Sequence, residues 1–105
     1  MRSLSSGLSF DHTPPSTVCR LTGVMDIHLP ASALKTGKTM LDHDVHIFDL
    51  SGVTHADSTS LAMAFVWQAY ARSRQRDLTF TGVPDTMLEL ARLYGIERWL
   101  STSAT

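Results

Sequence analysis

Residues 55–61 read "HADSTSL", between an apolar run, "VHIFDL" at 45–50, and an alanine-rich run, "SLAMAFVWQAYARSRQR" at 60–76. The first run is apolar at Val45, Ile47, Phe48 and Leu50, as in a central strand covered on both faces. The second has no glycine or proline and is the strongest helix in the chain. The strand is expected to end near Leu50 and the helix to start near Ser58, which leaves "SGVTHAD" as the connection. Either Asp57 or Ser58 caps the helix, because a side-chain oxygen there can accept an amide proton from the second or third helical residue. One cap explains the turn but leaves surplus hydroxyls among Ser58, Thr59 and Ser60. The unpaired amides and dipole of that first turn also favour an anion or a phosphoryl group.

Outward from this turn the chain keeps alternating. "DLTFTGV" reads as a strand, and Pro84 opens a helix, "PDTMLELARLY", whose Asp85 complements the N-terminal dipole. Gly95 follows the last periodic residue, where a left-handed cap is expected. Strand and helix alternate from residue 45 onward, which predicts an α/β layer with parallel neighbours. Upstream, "TVCRLTGVMDI" reads as a strand, "LSF" as a short edge strand, and "DHTPPS" as a loop enforced by two prolines. "LPASALKTGKTMLDHD" predicts a short helix with Ala33, Leu34, Met40 and Leu41 apolar. Gly37 in its middle costs that helix ~1 kcal/mol.

The chain has 105 residues, enough for a single domain over 1–105, with 1–7 and 101–105 expected as flexible ends. Hydrophobic residues make up 43% and charged residues 18%, a balance that supports a packed core and argues against disorder. The net charge is -1 with scattered Lys and Arg, so a nucleic-acid groove, which needs clustered positive charge, is not expected. The single cysteine, Cys19, reads as a small core hydrophobe. "MRSLSSGLSF" lacks the apolar stretch of a signal peptide, and no run is long enough to span a bilayer. A cytoplasmic domain is therefore expected, one that reaches a membrane only through a partner.

Two apolar lines run along the long helix. Leu61, Phe65, Ala69 and Arg72, with Ala62, Val66 and Ser73 beside them, are read as the core face. Met63, Trp67, Tyr70 and Arg74 form a second line with the same spacing. A single sheet covers one face of its helix, so this line is expected to be exposed as a docking strip of interface-type residues below Ser58. The competing reading puts Trp67 in the core. Catalytic templates fare badly: there is no G-x-S-x-G elbow, no P-loop and no G-x-G-x-x-G. "DHDVH" offers Asp42, His43, Asp44 and His46, but its spacing matches no zinc or calcium pattern and reads as a solvated turn. His55 lies near Ser58 without an oxyanion device. No catalytic residue, cofactor or metal is expected.

From "FDLSGVTHADSTSL" through "LTFTGV" to "LARLYGIERWL" the sequence resembles a STAS domain. The shared features are an apolar strand ending in Asp-Leu-Ser, an acid followed by a hydroxyl at a helix start, and the final helix with its glycine. The resemblance implies an α/β fold, a mixed sheet of four to five strands with helices packed mainly on one side. Position by position, Asp57 is the motif acid and Ser58 the motif hydroxyl; Thr59 and Ser60 stand where many members have glycine. "LARLYGIERWL" is most similar to the small cytoplasmic subunit of Mla-type ABC transporters, which move phospholipid to maintain outer-membrane asymmetry. That resemblance implies a non-enzymatic subunit bound to the transporter's ATPase, peripheral at the inner membrane, with Asp57, Ser58, Thr59 and Ser60 at the interface; helix geometry adds Met63 and Trp67 on the line below Ser58, and the STAS arrangement adds Tyr94 beside it. The alternative it implies is an anti-sigma factor antagonist whose Ser58 is phosphorylated by a partner serine kinase. An apolar strip without its partner could also pair with itself as a homodimer.

Overall fold

The computed structural model describes residues 2–5, 7–29 and 31–100, with the backbone alone at 2–5 and Trp99. Alternation of inward and outward residues sets the first strands. In β3 (Val18–Met25) Cys19, Leu21 and Met25 are buried, while Val18, Arg20 and Thr22 face out. β2 (Leu8–Asp11) lies antiparallel to β3, and β1 (Arg2–Ser5) lies antiparallel to β2. Two expectations are corrected here. "LSF" lies in β2, which is not an edge, because β1 covers its outer side; and Arg2–Ser5, within the expected flexible stretch 1–7, form that edge strand. The other expected flexible end, 101–105, lies outside the described residues.

β4 (Ile47–Ala56) runs parallel to β3, and β5 (Thr79–Thr81) runs parallel to β4, giving the order β1-β2-β3-β4-β5. Helices α1 (Ala31–Asp42) and α2 (Ser58–Ser73) make the two parallel crossovers. Right-handed crossovers running the same way along a sheet place both helices on one face. Inward-facing Phe48, Leu50 and Phe80 are buried, while Asp49, Thr79 and Thr81 on the opposite face stay partly open. The expected one-sided α/β sheet is what the chain forms.

β4 does not end near Leu50. It continues to Ala56, so Asp57 alone separates it from α2. Its buried residues after Ile47 are Phe48, Leu50, Val53 and Ala56, spaced by two, three and three. Each gap of three holds an irregularity. Arg20↔Asp49 is followed by Thr22↔Gly52, and Gly23↔Val53 by Val24↔His55. Each time β4 gains one residue on β3, a bulge that keeps the next apolar side chain inward. Strict alternation cannot find such a strand.

The three α-helices of the described residues close in the same way. α1, α2 and α3 (Asp85–Leu93) end with a left-handed residue just past the helix: Asp44 at φ 65°, Gln75 at φ 59° and Gly95 at φ 70°. The following amides, Val45, Arg76 and Ile96, bond back to the carbonyls of Met40, Ala71 and Ala91. This is the Schellman arrangement, and it satisfies carbonyls the helix leaves over. The expected left-handed cap at Gly95 is therefore present, and a 3-10 turn, Glu97–Leu100, folds back after it.

Trp67 stands at the centre of the core. Its ring meets Phe10 of β2 edge-on at 5.9 Å and Phe48 of β4 at 5.1 Å, and Phe48 in turn meets Phe80 of β5 at 6.2 Å. The indole N–H donates to the Leu34 carbonyl of α1 at 3.0 Å. Gly37 now has a reason: a Cβ there would lie 2.3 Å from the Trp67 indole nitrogen. The ~1 kcal/mol that glycine costs a helix is exchanged for room to seat the largest side chain of the core.

Candidate functional site: the corner at the start of α2

Asp57 builds the corner. Its backbone N–H donates to the Met25 carbonyl, which continues the β3–β4 ladder into the turn. One carboxylate oxygen accepts from the Thr59 amide at 2.8 Å and caps α2, while the other accepts from the Ile27 amide at 3.2 Å. A single side chain therefore fixes the helix start and the loop after β3 as one unit. Ser60 is fully buried, and its hydroxyl donates back to the Asp57 carbonyl at 2.6 Å. Of the surplus hydroxyls, Ser60 is thus structural. Ser58 is exposed and takes no part in the cap.

The exposed Ser58 opens onto a groove of about 570 Å³ between the start of α2 and the outer side of α3. Ala56 and Asp57 form its floor with Ser58; Glu89, Leu90, Leu93 and Tyr94 come from α3. α3 buries Met87 and Ala91 fully and packs Leu90 partly against the core, which leaves Leu93 and Tyr94 as large apolar side chains outside it. Leu93 is 76% exposed and Tyr94 57% exposed, high values for such large apolar side chains.

The family model described as "Mlab, STAS domain" matches residues 8–102. The chain belongs to this STAS-domain family. Comparison with curated proteins gives no significant match.

Asp57 and Ser58, expected as motif acid and hydroxyl, sit at the corner, and Tyr94 shares their groove. Thr59 is half-buried in the first helical turn. Met63 and Trp67 are not part of this surface. They are 4% and 0% exposed, and their line, with Ser60, Ala64 and Ala71, is the core face of α2. The sequence expectation is corrected for most of the helix: Leu61 is buried as expected and Phe65 packs against the core, but Met63 and Trp67 join Leu61 inside. Ala62, Val66, Ala69 and Arg72 point outward, and a second groove of about 280 Å³ runs between Phe65, Gln68, Ala69, Arg72 and Ile96. Both lines of the helix are apolar, so periodicity could not rank them; the glycine at 37, a gap in a facing helix, was the signal that a large ring is seated there.

The rest of the expected docking strip serves helix pairing. The Tyr70 hydroxyl donates to the Asp42 carboxylate, 2.9 and 3.0 Å from its two oxygens, and accepts from Arg74 at 2.9 Å. That bond, with the nearby Asp42 charge, pushes the Arg74 guanidinium pKa up. In the "DHDVH" turn, Asp42 is held by Tyr70, Asp44 pairs with Arg76 at 3.2 Å, and the His43 ring contacts the Thr39 carbonyl. No metal-binding group of three or more such side chains forms among the described residues. No helix among them is long and apolar enough to cross a membrane.

Proposed function

We propose that this MlaB-type STAS domain is the non-catalytic subunit that binds and supports the ATPase of an Mla-type ABC transporter moving phospholipid. It would work on the cytoplasmic side of the inner membrane, held there by its partner. The observation that carries the reading is the corner itself: an exposed motif hydroxyl, fixed in place by Asp57, opening onto an apolar groove that the domain leaves uncovered. A rigid surface of this kind suits recognition, since binding one arrangement of the ATPase shifts its population toward that arrangement. The test is capture of the tagged chain from its native cells, with the bound proteins identified. The ATPase and its membrane partner are expected; recovery of only a serine kinase or a sigma-pathway protein overturns the reading.

The second reading, an anti-sigma antagonist switched at Ser58, draws on the same exposed hydroxyl. Phosphorylation would add about −1.5 to −2 charge beside Asp57, with the amides of the first α2 turn offsetting part of the repulsion. The intact mass of protein from native cells separates the two, because a stoichiometric phosphate on Ser58 favours the switch.

A further inference from the structure

The exposed large apolar side chains are not scattered. Leu93, Ile27 and Tyr94 are the most open, at 76%, 69% and 57%, against 38% for Val66 and 37% for Val18. Leu93 and Tyr94 line the groove with Ser58, and the Ile27 amide is bonded to Asp57, which brings its loop to the same corner. The charge there has one sign. Asp57 and Glu89 are the charged residues lining the groove, and Asp26 precedes Ile27 in the loop. Among the described residues no Lys or Arg lines the groove.

Large apolar side chains rimmed by carboxylates disfavour an acidic partner and match a segment whose apolar residues are flanked by basic ones. We propose that the corner receives a basic amphipathic segment of the ATPase. Ile27, on the loop tied to Asp57, and Leu93, in the groove, take its apolar side chains, and Glu89 pairs with a Lys or Arg beside them. This inference rests on the ATPase reading and goes beyond it in assigning the chemistry of the docked segment and the residues that select it.

The test measures the affinity of the purified ATPase subunit for the full chain and for Ile27→Asp, Leu93→Asp, Glu89→Lys and Glu89→Gln, over a salt series. Because these side chains are exposed, the variants should melt with the wild type, which thermal circular dichroism checks. Ile27→Asp, Leu93→Asp and Glu89→Lys are each expected to weaken binding about tenfold or more. Glu89→Gln should flatten the salt dependence, since screening then has one charge fewer to act on. Wild-type binding that survives all four substitutions overturns this inference alone. So does a Leu93→Asp chain that loses self-association yet keeps its ATPase affinity, which would assign the corner to a second copy. A wild-type chain that does not bind the ATPase overturns both this inference and the functional reading.

Discussion

Asp57 joins two structures that the sequence presents as unrelated, the helix start and the loop after β3. Its replacement by alanine removes both acceptors at once, and loss of an N-cap costs about 0.5–2 kcal/mol. We expect Asp57→Ala to fall near the upper end of that range in denaturant unfolding, with faster amide exchange at both Thr59 and Ile27. Exchange that changes at Thr59 alone would mean the Ile27 bond carries little. Cys19 offers a second test at this scale. Burial, and then the nearby charge of Asp11, push its thiol pKa from 9.0 to about 12. The folded state therefore disfavours the thiolate that the unfolded chain forms above its own pKa. Stability should be unaffected by this group below pH 9 and should erode as pH rises from about 9 towards about 12. Cys19→Ser, compared with the wild type across that range, should lose the alkaline part of the slope. Iodoacetamide should label Cys19 only on unfolding.

At the scale of elements, the decisive contact is α1 against α2. Gly37→Ala would gain ~1 kcal/mol of helix propensity, yet it places a methyl group against the Trp67 indole, so we expect a net loss of stability. Trp67→Ala should lose ~3–5 kcal/mol, the usual cost of deleting a buried aromatic ring, so any fall in ATPase binding would follow from unfolding. A Trp67→Ala chain that melts with the wild type would restore the docking strip. The helix ends make the opposite prediction. Gln75 holds a left-handed conformation that costs an L-residue roughly 1–2 kcal/mol and glycine little. Gln75→Gly should thus raise the melting temperature, in part offset by the greater freedom of glycine in the unfolded chain. These contacts also separate what was legible in the sequence from what was not. The α/β alternation and the Gly95 stop follow from local residue types, local rules narrowed the cap to Asp57 or Ser58, and the one-sided sheet was implied by the family resemblance. The length of β4 depends on two bulges set by its pairing with β3, and the core face of α2 depends on a gap in α1. Both are decided by a neighbouring element, which composition and period along one segment do not record. The groove at the helix start was legible in part: Ser58 and Tyr94, singled out from the sequence, both line it, whereas Glu89 and Leu93, which also line it, were not singled out.

Across the whole molecule, the aromatic cluster decides how the domain comes apart. Trp67 touches Phe10 from the antiparallel half of the sheet and Phe48 from the parallel half, while its indole N–H is tied to α1. No half of the sheet can leave without uncovering that ring. The corner at Asp57 sits on the far end of the same helix, so it inherits the rigidity of the core: a partner pressing on Ser58 presses on α2, and α2 is seated through Trp67. A chain of 105 residues built this way should unfold as a single cooperative unit. The check uses a Trp99→Phe background, in which Trp67 is the one remaining tryptophan, and follows its fluorescence together with far-ultraviolet circular dichroism through a denaturant titration. The two curves should coincide, with one midpoint and one slope. Fluorescence that changes first would mean that β1 and β2 peel away from Trp67 while the parallel part holds. In that case the corner would keep its geometry, and affinity for the proposed ATPase partner, at the denaturant concentration where the ring is already exposed, should remain near the native value. Under the cooperative account, affinity and fluorescence fall together.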